Sequence, residues 1–180
     1  MKVRNCLTVL IVVLAAIAAM SQDDLQQKYA GKSKCLPELK SATEHYGIRL
    51  DKSQNAYLAA FKLKDRKILT IVQLKDTSDR CGVIRDVVQA QDVDSSFVWQ
   101  CRDKKTPSDV VVGTWPAKHP KTSGPAVEAW RIDLTQMKFA PVQGVPVSCA
   151  AGYYAGSDEG DDLASWAKKQ AARHAVQESK

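Results

Sequence analysis

The chain has 180 residues with 26 Lys and Arg against 20 Asp and Glu, and the bases are interleaved with acids along its length. That pattern describes a mixed, solvated surface and argues against nucleic acid as a partner, because a nucleic-acid binder concentrates positive charge on one element. Two of the bases, Lys2 and Arg4, fall in a leader, so the remainder is only mildly basic.

The leader has a basic start at residues 1–4, an apolar run over 7–17 that is well short of the ~20 residues a bilayer span needs, and an A-x-A cleavage site at Ala16-Ile17-Ala18. It predicts a cleavable signal peptide over 1–19, an extracytoplasmic location, periplasmic or secreted, and a single globular domain over 20–180. Cys6 precedes the apolar run, where a lipidated cysteine would not stand, so no stable membrane anchor is expected.

Residues 22–31 are polar with Leu25 and Tyr29 four apart, enough for a short peripheral helix or a frayed arm. Pro37 suits a first helical position and Gly47 the position just past a helix end, which predicts a helix over 36–46 anchored by Cys35. Residues 55–63 alternate, with Tyr57, Phe61 and Leu63 on one face, and residues 66–75 are apolar on both faces; both read as strands, the second an inner one. Over 81–101 the chain reads as a hairpin. With Cys81 opposite Cys101, Val83 faces Trp99, Arg85 faces Phe97, and directly opposed residues come close enough for a disulfide. Four cysteines in an exported chain read as two disulfides, and this register predicts Cys81–Cys101, leaving Cys35–Cys149.

Val110, Val111 and Val112 lie on both faces of the next run, which predicts a central strand ending at Trp115. Residues 116–126, PAKHPKTSGPA, form a loop. Residues 127–134 turn Trp130, Ile132 and Leu134 to one side as a half-buried strand. Two prolines in PVQGVPVSC restrict any strand over 145–149 to an edge or a short length. A loop over 152–160 and a closing helix over 161–176, docking through Leu163, Trp166, Ala167 and Ala171, complete the chain. The sum is an α+β fold: a mainly antiparallel sheet of about six strands with two or three flanking helices, stapled by two disulfides.

Few residues are arranged for chemistry. Gly31-Lys32-Ser33 resembles the tail of a phosphate-binding loop, but Gln26 stands where that motif needs glycine. The acids from Ser157 to Asp162 lack calcium-loop spacing, and capping of the closing helix by Asp161 or Ser157 explains them better. His45, His119 and His174 stand at no metal-ligand spacing, and His45 and His174 fall near helix ends. No C-x-x-C or G-x-S-x-G occurs, so neither a redox pair nor a nucleophile elbow has a basis. No catalytic residue, metal site or cofactor is assigned.

A contact surface is better supported. Trp115 meets the 116–126 loop, which holds His119 and Lys121, and Tyr153 and Tyr154 lie in the 152–160 loop; if both loops share one sheet end, they form a surface of the kind partners use. The expectation is a non-catalytic binding or inhibitory module that recognises another extracytoplasmic protein or an envelope polymer. The alternative is a small extracytoplasmic hydrolase with dispersed acid and base residues, such as His119 with Asp158 or Asp161.

Overall fold

The computed structural model describes residues 22–76, 78–103, 105–106, 108–116, 122–150 and 162–178. Helix α1 (22–29) and the single turn α2 (Pro37–Lys40) precede β1 (Thr43–Asp51), β2 (Ala56–Lys62), β3 (Lys67–Gln73) and β4 (Val83–Gln89). Then come β5 (Ser96–Asp103), β6 (Val110–Trp115), β7 (Ser123–Pro125), β8 (Glu128–Asp133), β9 (Lys138–Pro141), β10 (Val147–Ala150) and helix α3 (Leu163–Glu178). The strands form two antiparallel sheets, one of four in the order β1-β2-β3-β4 and one of six in the order β7-β10-β5-β6-β8-β9. The single sheet of about six strands is corrected accordingly.

Residues 90–95 carry the chain from one sheet to the other, which is why 81–101 does not close on itself. β4 is paired with β3, Gln89 opposite Ile68 and Val83 opposite Gln73, whereas β5 lies between β10 and β6. The disulfides are Cys35–Cys81 and Cys101–Cys149, so both expected bridges are replaced. Residues 31–34 run along the outer edge of β4, the Gly31 N–H donating to the Ile84 carbonyl and the Ile84 N–H to the Lys32 carbonyl, each at 2.8 Å. This delivers Cys35 to Cys81. Gly82 permits the approach, since its φ is +56° and a Cβ there would sit 2.6 Å from Val72 Cγ1. Cys101 and Cys149 are opposed residues on neighbouring strands, so the geometric argument applies to a different partner.

The helix expected over 36–46 ends after one turn, with the Ser41 N–H donating to the Pro37 carbonyl at 3.2 Å. From Thr43 the backbone is strand, Gly47 opposite Ala59 and Ile48 opposite Leu58. Tyr46, Ile48 and Leu50 recur at the strand period of two, and an adjacent partner strand outweighs the proline and glycine punctuation. β6 is interior and buried along its whole length, as its valines predict. β10 is short, but it is not an edge: it lies between β7 and β5, with Pro146 just outside it.

Between the sheets, Leu58, Leu69 and Ile71 pack with Val112, Trp130 and Ile132, joined by Leu163 and Ala167 of α3. The other face of the four-stranded sheet carries Phe61, Ile68, Ile84 and Val87 under Leu25 and Tyr29 of α1 and Leu39 of α2. Full burial makes α1 a docked helix, each such side chain contributing about 1.5–3 kcal/mol. On the outer face of the six-stranded sheet, Val111, Trp115 and Val147 surround Cys101–Cys149.

The narrow side of this sandwich is closed by Asp86 on β4. Its Oδ2 accepts the Phe139 N–H of β9 at 2.6 Å, and its Oδ1 accepts from Gln26 Nε2 of α1. Both oxygens of the buried carboxylate are therefore satisfied. With β4 set against β9, the wider sheet overhangs on the far side, and β10 and β7 extend past the narrower one.

Candidate functional site

Strand pairing brings several chain segments to one end of the six-stranded sheet. Ser96 at the start of β5 is opposite Trp115 at the end of β6, Thr114 is opposite Glu128, and Ser123 of β7 is opposite Ala150 at the end of β10. Both flanks of segment 117–121 are therefore at this end, whereas segment 151–161 starts here and is followed by Asp162, which accepts the Lys52 N–H in a turn beside Leu134 at the opposite end. His119, Lys121, Tyr153 and Tyr154, as well as Asp158 and Asp161, lie outside the described residues. So do the side chains of His45, on β1, and His174, on α3.

Trp115 is placed differently from a contact residue. It is 2% exposed and packs on the outer face of the sheet beside the Cys101–Cys149 bridge. Its substitution acts on the core before it acts on any partner.

Two titratable groups at this end went unread in the sequence. Glu128 is half-buried, and its Oε2 accepts the Gln91 N–H at 2.9 Å and the Thr114 hydroxyl at 3.3 Å. Burial raises its pKa above the ordinary glutamate value, and those two hydrogen bonds only partly offset the shift. Its signal was positional, since Glu128 stands two residues before Trp130, on the inward side of an alternating strand. Lys67 opens β3 and donates from Nζ to the Ser95 carbonyl in the crossover between the sheets. Burial lowers its pKa and Lys62 adds to the effect, against the opposing pull of Asp94 and Asp92.

The inner face near the same end is aromatic. A register shift between Val98 and Cys101 leaves Phe97 and Trp99 facing inward while Val98 and Cys101 face outward. The Phe97 and Trp99 rings are 6.4 Å apart and inclined by 23°, and Phe97 lies 6.2 Å from Trp130. Further along β5, Arg102 donates to Gln170 Oε1 of α3 and lies 5.7 Å from the Trp166 ring centroid.

The start of α3 is fixed by Asp162, which is neither of the caps expected at Asp161 or Ser157. It accepts the Ser165 N–H at 2.7 Å and, from the β1–β2 turn, the Lys52 N–H at 2.6 Å. Among the described residues, no group of three or more His, Cys, Asp or Glu side chains is placed to hold a metal ion, and no helix is long and apolar enough to cross a membrane. Comparison with known protein families, with curated proteins and with solved structures gives no match.

Proposed function

We propose that the chain is an exported, disulfide-held binding module that recognises an extracytoplasmic protein or an envelope polymer at the loop-bearing end of its six-stranded sheet. The observation that carries this reading is the pairing of Ser123 with Ala150, which roots the segments holding His119, Lys121, Tyr153 and Tyr154 at one end of a covalently stapled sheet. A rigid frame presenting adjacent loops is a common basis for recognition. The leader and two disulfides agree with an oxidising destination.

The test is capture of defined extracytoplasmic proteins and polymers on the immobilised chain. His119→Ala, Lys121→Ala and the Tyr153→Ala/Tyr154→Ala pair are compared with the parent, and melting curves check that the fold persists. Capture lost in these variants supports the reading. Capture unchanged in all of them, or substrate turnover that disappears in His119→Ala, overturns it.

A further inference from the structure

The two bridges differ in what surrounds them. Cys101 and Cys149 are each 1% exposed and enclosed by Val111, Trp115 and Val147, and a Cβ on Gly113 would lie 3.2 Å from Cys101 Sγ, which leaves a reagent no line of approach. Cys35 and Cys81 are partly exposed at the edge of the four-stranded sheet. The segment they pin, residues 31–34, reads Gly-Lys-Ser-Lys and has no apolar side chain to give to a core. It lies on β4 through backbone hydrogen bonds, two at 2.8 Å linking Gly31 and Lys32 to Ile84 and one at 3.2 Å from the Lys34 N–H to the Gly82 carbonyl, and Lys34 Nζ is 5.1 Å from the Tyr57 ring centroid. The buried apolar anchors lie on either side of this segment, Leu25 and Tyr29 before it and Leu39 after it.

We propose that Cys35–Cys81 is a site of thiol exchange that fastens or frees residues 31–34 as a strap over the edge of β4, while Cys101–Cys149 stays closed. The inference goes beyond the binding-module reading and does not depend on it. The co-reactant is a dithiol. One of its thiolates attacks a sulfur of Cys35–Cys81 and forms a mixed disulfide, while the other cysteine leaves as a thiolate and takes up a proton. The second thiol of the co-reactant then displaces the protein sulfur, so the co-reactant departs as a disulfide and Cys35 and Cys81, having gained two electrons, are both thiols. Access selects the bridge, because the attacking thiolate must reach a sulfur and buried cysteines are inert. The fold sets the result. Freed from Cys81, the strap is a short loop between buried anchors, tied to β4 by edge hydrogen bonds that water can replace, whereas α1 and α2 stay docked. Its departure bares the Gly82 carbonyl and the Ile84 N–H and carbonyl beside Val83, which is already 40% exposed. An uncovered strand edge is a template for pairing with another chain.

The test is graded reduction of the full chain with dithiothreitol under native conditions, trapping of new thiols with iodoacetamide, peptide mapping of the alkylated cysteines, and amide hydrogen exchange on the trapped protein. Cys35 and Cys81 are expected to be alkylated at least about tenfold faster than Cys101 and Cys149. Exchange at the Lys34 and Ile84 amides is expected to rise at least about tenfold, with that of β6 unchanged. The double variant Cys35→Ser/Cys81→Ser, which carries no alkyl group, is expected to show the same local rise without reductant. All four cysteines alkylated together, Cys101 or Cys149 alkylated first, or Lys34 and Ile84 amides that stay protected once Cys35 and Cys81 are modified would overturn the proposal. So would protection lost throughout β6 in the trapped or the serine form, since the bridge would then be holding the whole fold and not a strap.

Discussion

Glu128 and Asp162 are both carboxylates removed from water, and their surroundings push them in opposite directions. At Glu128 burial dominates, so the folded state holds its proton more tightly than the unfolded chain does. The stability linked to that proton is complete below the unfolded pKa and is lost as pH rises through the folded one. Glu128→Gln keeps an acceptor for Gln91 and Thr114 and cannot ionise. It is therefore expected to melt higher than the parent at neutral pH, with the gain vanishing in acid, in melts recorded from pH 4 to pH 7. At Asp162 burial also raises the pKa, but the Lys52 and Ser165 N–H groups and the Ser165 hydroxyl outweigh it, and the net shift is downward. Its contribution is present above the unfolded pKa and is lost as pH falls through the folded one. Asp162→Ala is expected to cost about 1–2 kcal/mol at neutral pH in denaturant unfolding, with Asp162→Asn costing less because it retains a cap. The acids before α3 were legible as capping material. Which of them caps was not, because the choice depends on the Lys52 amide, 110 residues away.

At the scale of elements, α1 tests how far a sparse pattern can be read. Leu25 and Tyr29 are its two apolar anchors in the cluster under the four-stranded sheet, and both are fully buried. Leu25→Ala is expected to lower stability by about 2–5 kcal/mol, measured as a shift in denaturant midpoint. A change near zero would mean that the helix is the frayed arm its polar sequence permits. Strands with a strong local pattern were legible: β2, β3, β6 and β8 fall where alternation or unbroken valine and isoleucine runs place them. β1 was not, since Pro37 and Gly47 punctuate a helix there and only pairing with β2 decides otherwise. β9 was missed because four residues ending in Pro141 carry too little pattern of their own. It exists as the partner of β8, entered through Met137 at φ +54°. Likewise, composition marked residues 116–126 and 152–160 as loops, but that Ser123 and Ala150 beside them lie opposite each other follows only from the pairing of β7 with β10.

For the whole molecule, the disulfide pattern is the sharpest check on the two-sheet arrangement. Peptide mapping of unreduced protein is expected to recover Cys35 linked to Cys81 and Cys101 linked to Cys149. A Cys81–Cys101 peptide would restore the hairpin and overturn the division into two sheets. Replacing Cys35 and Cys81 together by serine is expected to cost about 2–5 kcal/mol, since each bridge closes a long loop in the unfolded chain. The pairing could not be read from spacing alone, because opposed-strand geometry is available wherever two cysteines meet across a ladder and the sequence does not say which strands are neighbours.

Neither bridge crosses from one sheet to the other. All four strands of the smaller sheet precede residue 90, and all six of the larger follow residue 95. Scission between Gln91 and Asp94 would thus leave two fragments, each with its own internal cross-link, associating without a covalent bond through the shared core, the return of α3 to β1 and hydrogen bonds such as those of Asp86 with Phe139, Lys67 with Ser95 and Gln54 with Leu134. Such a nicked protein should migrate as one species under native conditions and as two in unreduced denaturant, and its halves, expressed apart, should reassemble as a noncovalent pair.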